Sequence, residues 1–263
     1  MSTGVFSPGR AKIAERTLRT DRWWMQPVTT VTILLAFIVY STWAAFVNKD
    51  YYREPYLSPF YSPCLSTKCA KVGAPHLSIF GDWFPFSPAI AILIVPLGFR
   101  LTCYYYRKAY YRGFWSSPPA CAVAEPHAKY TGETRFPLIL QNIHRYFLYL
   151  ALLVNVVLLY DAVIAFRDKH GNWGHMGLGT VIVTVNALLL LAYSLSCHSC
   201  RHITGGRLKH FSKHPIRYWG WTQVSKLNRL HMQIAWVSLF GVALTDLYIR
   251  LVASGAITDV KFF

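Results

Sequence analysis

The sequence predicts an all-α membrane protein: a bundle of five transmembrane helices, with the N-terminus in the cytoplasm and the C-terminus outside. Three observations carry this. The 263 residues are 54% hydrophobic and only 14% charged, whereas a soluble domain carries about 25% charged residues. Mean hydropathy is positive, at +0.28. The apolar residues are also gathered into runs of the length a bilayer requires, about 20 residues each.

The first run covers 28–47. It follows a polar segment, 1–27, that carries five Lys/Arg, and no small-residue cleavage site comes after it. It therefore reads as a span and not as a signal peptide. The second covers 84–106 and contains Pro88 and Pro96, which remove backbone donors and should kink the helix. The third, 136–166, is long enough to tilt or protrude. The fourth covers 176–197 and the fifth 230–252. Together they define a membrane domain over 28–253, with a short external tail at 254–263.

The Lys and Arg between the runs set the orientation. Segments on the N-terminal side hold 18, among them seven in 198–229, which has no acid; segments on the opposite side hold seven. The positive-inside rule puts the richer side in the cytoplasm. The net charge of +16 then belongs mainly to cytoplasmic loops that can meet anionic lipid or an acidic partner protein. Little is left for a nucleic-acid reading to explain.

This topology sorts the thiols and imidazoles. Cys64 and Cys69 fall in an outer loop, where oxidation is permitted, and their short spacing suggests a disulfide. Cys103, Cys121, Cys197 and Cys200 fall on the cytoplasmic side, with His127, His144, His198, His202, His210, His214 and His231. Helix two should end near Cys103 and helix four at Cys197–His198. Helix five should begin near His231, and His144 should lie roughly 12 Å into helix three. Packed as a bundle, these helices could point Cys103, His144, Cys197 and His231 at one site. Ionisable groups at membrane depth default to a functional role. Cys121 and His198 are the reserves. Cys121 follows Pro118-Pro119, so its loop could fold back under the bundle. Cys197 and His198 are neighbours on one helix, about 100° apart, so one point is unlikely to receive both.

Spacing alone leaves the metal open. Cys197-His-Ser-Cys200 begins like a c-type haem motif, but Arg201 stands where that motif has His. Cys200-x-His202 supplies half of a soluble Rieske spacing and the other half is missing. Haem b could use His144 and His231. Zinc would accept any of these donors.

Longer stretches carry more. Arg100-Leu-Thr-Cys-Tyr-Tyr-Tyr-Arg-Lys-Ala-Tyr-Tyr-Arg112, Ser117-Pro-Pro-Ala-Cys-Ala-Val-Ala-Glu-Pro126, Tyr130-Thr-Gly-Glu133, Gln141-Asn-Ile-His-Arg-Tyr146 and Ser196-Cys-His-Ser-Cys-Arg-His202 resemble the five-span membrane-anchor subunit of actinobacterial and mycobacterial succinate dehydrogenase, respiratory complex II. The likeness runs over nearly the whole chain from the first span. It implies a multi-pass subunit in the cell (inner or plasma) membrane that works within an oxidoreductase of the tricarboxylic acid cycle. A flavoprotein subunit and an iron–sulfur subunit would be its partners, with room for a higher oligomer of the complex. It would pass electrons to a quinone, menaquinone or ubiquinone.

The resemblance further implies a membrane-embedded Rieske-type [2Fe–2S] cluster, which takes two cysteines on one iron and two histidines on the other. No fixed motif carries the ligands over. The expected set rests on equal depth: Cys103 and Cys197 on one iron, His144 and His231 on the other. No dicarboxylate active site is expected in this chain.

A quinone slot near such a centre needs aromatic walls and a hydrogen-bond donor. The candidates are Arg145, Tyr106, Tyr146 and Trp221, with Tyr104, Tyr105, Trp115 and Trp219 behind them. An ordinary interfacial aromatic belt competes for most of these residues, and snorkelling to lipid phosphate competes for Arg145. Asp246 and Arg250, four apart on helix five, should pair; Asp161 and Asp246 read as locally neutralised acids in preference to a proton path. Two rival functions remain. One is a haem-b anchor with the cysteines as bystanders. The other is a transporter with a structural zinc site, against which no inverted repeat is visible.

Overall fold

The computed structural model describes residues 20–81, 83–121, 123, 134–136, 138–168, 170–206 and 208–263. His127, the Tyr130–Glu133 stretch, residues 124–126 and residues 1–19 lie outside the described residues. The helices are α1 (Met25–Val47), α2 (Pro88–Thr102), α3 (Tyr104–Trp115), α4 (His144–Ile164), α5 (Leu178–Leu195), α6 (His198–Gly205), α7 (Pro215–Arg229) and α8 (His231–Ala253). A two-residue hairpin, β1 (Tyr52–Arg53) with β2 (Tyr56–Leu57), follows α1.

Four helical segments are each long and apolar enough to cross a membrane: Met25–Val47, Leu138–Ile164, Leu178–Leu195 and His231–Ala253. The number reaches five if α2 and α3 are counted as one broken span. The outer faces of these helices leave large side chains such as Val39, Leu153, Val156 and Leu244 exposed. Apolar surface of that extent is tolerable where lipid replaces water.

The second expected span, 84–106, needs correction. The helix starts at Pro88, not at Phe84. A proline at the first helical position loses nothing, because that N–H has no partner inside the helix; only Pro96 lies within it. The run then breaks at Cys103, whose backbone is extended at φ −63°, ψ 129°. The residues beyond form α3, a helix that carries Arg107, Lys108 and Arg112. The polar loop 198–229 also folds, into α6 and α7.

The chain divides into two compact units, Met1–Val39 with Leu101–Asn142 and Tyr40–Arg100 with Ile143–Phe263. In the first, α3 is tied to Gln141: Tyr111 donates to its Oε1 at 2.9 Å, and its Nε2 donates to Tyr110 at 2.9 Å.

In the second unit α5 packs between α4 and α8. Leu158, Ala162, Val183, Ala187 and Ile249 form a core with Tyr56. Asn155 of α4 donates to Ser194 of α5 at 2.7 Å, an interhelical bond of the kind used where water is absent. Gly98 of α2 is a point of close approach, since a Cβ there would stand 2.2 Å from the Phe147 ring of α4.

At the far end of this unit Arg250 donates to Asp246 at 2.7 Å and to the carbonyls of Ala44 and Lys49 at 2.9 and 2.6 Å. Asp246 also accepts from Tyr40 and Ser58, and Asp161 accepts from Ser62. The acids are thus satisfied locally. The Cys64 and Cys69 sulfurs are bonded, with Cα atoms 6.5 Å apart, beside a 3₁₀ helix over Thr67–Val72 capped by Ser66. The final residues lie along the start of α5. There Asp259 accepts from Tyr56, Tyr248 and the Gly179 amide at 2.7, 2.6 and 2.9 Å.

Candidate metal centre at the helix ends

Three helices of the second unit end or begin at one level, and each brings a metal-binding side chain there. Residues Leu138–Ile143 form a 3₁₀ helix, and His144 is the first residue of α4. The apolar helical segment still begins at Leu138, six residues before His144, but its first part is 3₁₀ and not α. The tighter lead-in puts the imidazole at the helix end, where it meets the end of α5. His144 Nε2 stands 2.9 Å from Cys197 Sγ.

The sequence placed Cys197 and His198 together on helix four. Instead, α5 stops at Leu195 and Ser196 closes it, its Oγ donating back to the Tyr193 carbonyl at 2.9 Å. Cys197 then turns extended, at φ −64°, ψ 145°, and becomes the N-cap of α6, with Sγ accepting from the Ser199 amide at 3.3 Å. Cys197 is only 1% exposed, while His198 is exposed. Cys200 is buried one turn further on, and burial pushes its thiol above the ordinary cysteine value.

His231 is the first residue of α8 and 4% exposed. Its Nδ1 stands 2.8 Å from Ser196 Oγ. His198 lies beside it, with ring centroids 6.2 Å apart. One polypeptide turn, 196–197, therefore touches both His144 and His231.

Aromatic rings support both imidazoles. Phe99 stacks on His144 at 4.8 Å and meets Tyr193 edge-on at 5.3 Å; Tyr193 stacks on His231 at 5.3 Å. The Arg100 guanidinium lies 4.6 Å over Tyr193 and donates to the Ala235 carbonyl and Ser238 of α8 at 3.3 and 3.1 Å. Sequence reasoning missed Phe99, Tyr193 and Ser196 and counted Arg100 only as a topology charge. The one available signal was spacing: Tyr193 precedes Cys197 by a helical turn, and Phe99 precedes Cys103 likewise.

Cys103 is buried at the N-cap of α3 and belongs to the first unit. In that unit too is Cys121, exposed at a cavity of about 380 Å³ that Asp21, Arg22 and Arg112 also line.

The quinone candidates are engaged separately. Arg145 was expected inside a span; it is exposed at the start of α4 and bonded to His202 Nδ1. Trp221 locks α6 to α7, with Arg201 5.3 Å over its ring and Phe211 and Tyr218 stacked at 5.9 Å. Tyr146 is 69% exposed, and Tyr106 is buried in the first unit.

Among the described residues no group of three His, Cys, Asp or Glu converges as a single metal ion would need. A binuclear iron–sulfur cluster divides its four ligands into two pairs. Within the second unit, buried Cys197 and His231, with His144 in contact with Cys197, supply donors of the two types such a cluster uses.

The chain is similar to known proteins in sequence and in structure. The family model described as actinobacterial succinate dehydrogenase subunit SdhC matches residues 25–255. A chain of the solved Mycobacterium smegmatis Sdh1 complex in the apo form is 62% identical over 99% of both chains, with a TM-score of 0.88. No curated protein matches the chain.

Proposed function

For this chain, which belongs to the actinobacterial SdhC family and so is a membrane subunit of succinate dehydrogenase, we propose the role of membrane anchor and electron-transfer subunit of succinate:quinone oxidoreductase. Its partners are the flavoprotein and iron–sulfur subunits of the complex, and its membrane is the cell membrane. The helix ends that carry His144, Cys197 and His231 face the cytoplasm, where electrons from succinate arrive.

The proposed ligands of a Rieske-type [2Fe–2S] cluster are Cys103 and Cys197 for one iron and His144 and His231 for the other. When bound, this group supplies a one-electron carrier whose histidine ligation raises its potential above that of an all-cysteine cluster. The protein's part is to hold the ligands and exclude water. Cys197 and His231 are nearly fully buried, and Phe99 and Tyr193 wall the imidazoles. The electron acceptor is a quinone, which docks at the same end of the bundle.

The observation that carries this reading is the contact between His144 Nε2 and Cys197 Sγ, a thiol and an imidazole from two helices meeting at the membrane boundary. A haem-b anchor would use His144 and His231 but has no use for the thiol between them.

The test is the EPR and visible spectrum of the purified complex reduced with succinate, beside a His144→Ala/His231→Ala variant. The expected result is a reduced [2Fe–2S] signal of Rieske character that the variant loses. A haem absorption band with no such signal would overturn the reading.

A further inference from the structure

We infer that Ser196 is a positioning residue that fixes His231 in its Nδ1–H form and so makes Nε2 the nitrogen offered to the metal centre. This rests on the reading of His231 as a ligand and goes beyond it, because it names the atom and the group that selects it.

The available hydrogens decide the tautomer. Ser196 Oγ lies 2.9 Å from the Tyr193 carbonyl and 2.8 Å from His231 Nδ1. A carbonyl only accepts, so the single hydroxyl hydrogen goes to Tyr193. Towards His231 the serine then offers only lone pairs, and Nδ1 must carry the hydrogen between them. A neutral imidazole has one N–H, so Nε2 becomes the acceptor nitrogen.

Burial makes the choice firm. Ser196 is fully buried and His231 nearly so, so bulk water does not compete for either atom. Rotating the ring by half a turn would carry Nδ1 away from Ser196. The ring is held parallel to Tyr193, within 8° at 5.3 Å. The backbone of Ser196 is itself anchored, its carbonyl accepting from Asn228 Nδ2 at 2.7 Å. Metal-ligating histidines commonly donate their second N–H to such an acceptor, which sets the ring's orientation and raises its basicity. Ser196 also directly precedes Cys197, so one residue sets both a ligand imidazole and a ligand thiol.

The experiment uses the purified complex with Ser196→Ala, Ser196→Thr and His231→Ala. Iron content and an EPR-monitored redox titration are measured, and histidine tautomers are read by ¹⁵N NMR of histidine-labelled wild type. Loss of the serine oxygen makes His231 a weaker donor, so Ser196→Ala should raise the midpoint potential and weaken metal retention by about 10–100-fold. Ser196→Thr keeps the hydroxyl and should restore the potential. A serine that only packed would change thermal stability without moving the potential.

If Ser196→Ala leaves the potential unchanged while His231→Ala removes the centre, the inference fails and the ligand assignment stands. A wild-type His231 found with hydrogen on Nε2 overturns the inference by itself. If His231→Ala leaves the spectrum unchanged, the ligand assignment falls and takes the inference with it.

Discussion

His144 and Cys197 are 53 residues apart in the chain and 2.9 Å apart in space. The contact joins the first residue of one membrane helix to the residue just past the end of another. It is possible only because α4 begins at His144 and α5 stops at Leu195. An extra turn on either helix would carry the two side chains past each other by about 5.4 Å.

Replacing Cys197 or Cys103 with Ser should remove succinate-dependent quinone reduction. The loss should exceed the roughly 10–100-fold typical of an outer partner's removal. Reduction of a soluble dye by succinate should continue, because no dicarboxylate chemistry is assigned to this chain. Parallel loss of dye and quinone reduction would mean a failure of assembly, not of electron transfer.

The buried pair Asp246–Arg250 is expected to be worth more to stability than to turnover. Asp246→Ala leaves the Arg250 charge buried, which costs about 3–5 kcal/mol, and should lower the melting temperature of the detergent-purified complex clearly. Asp246→Leu/Arg250→Met removes both charges and should recover part of that loss. A double variant less stable than either single one would contradict this account of the pair.

The orientation can be read by thiol labelling. A membrane-impermeant maleimide should reach Cys121, exposed in this chain, in inverted vesicles but not in intact cells. A cysteine placed at Ser254, beyond α8, should show the opposite pattern. Cys64 and Cys69 should stay unlabelled until reductant is added, as their bond requires. Labelling of Cys121 in intact cells would reverse the assigned topology.

Much of this architecture was legible in the sequence. Runs of apolar residues locate α1, α5 and α8 to within three residues at either end, and α4 at its C-terminal end, because lipid leaves a helix no other way to satisfy its backbone. Helix ends were less legible. Leu138–Ile143 belongs to the apolar segment but winds as a 3₁₀ helix, and the break at Cys103 sits between Thr102 and Tyr104 with no glycine or proline to announce it. The short helices α6 and α7 were missed because their composition is that of a basic loop.

The candidate site was legible as types of residue and not as contacts. Equal depth grouped Cys197 with His144 and His231; in the structure His144 touches Cys197 and His231 touches Ser196. It could not find Ser196 or Tyr193, which work by hydrogen bonding and stacking across helices. The helix positions of Arg145 and Trp221 gave no warning of their partners, His202 and the α6–α7 cluster, because those partners lie on helices the sequence had not revealed.

Gly98 touches no ligand, yet it governs how accurately one is placed. Its missing side chain makes room for Phe147, three residues along α4 from His144, while the next residue, Phe99, lies flat on the His144 ring. A Cβ at position 98 would stand 2.2 Å from the Phe147 ring, so that ring must move before α2 and α4 can keep their approach. The tolerance of the centre is therefore set partly by an absence. Under the proposed ligand set, damage at this position would surface as cofactor loss, in a place no survey of metal contacts would think to look.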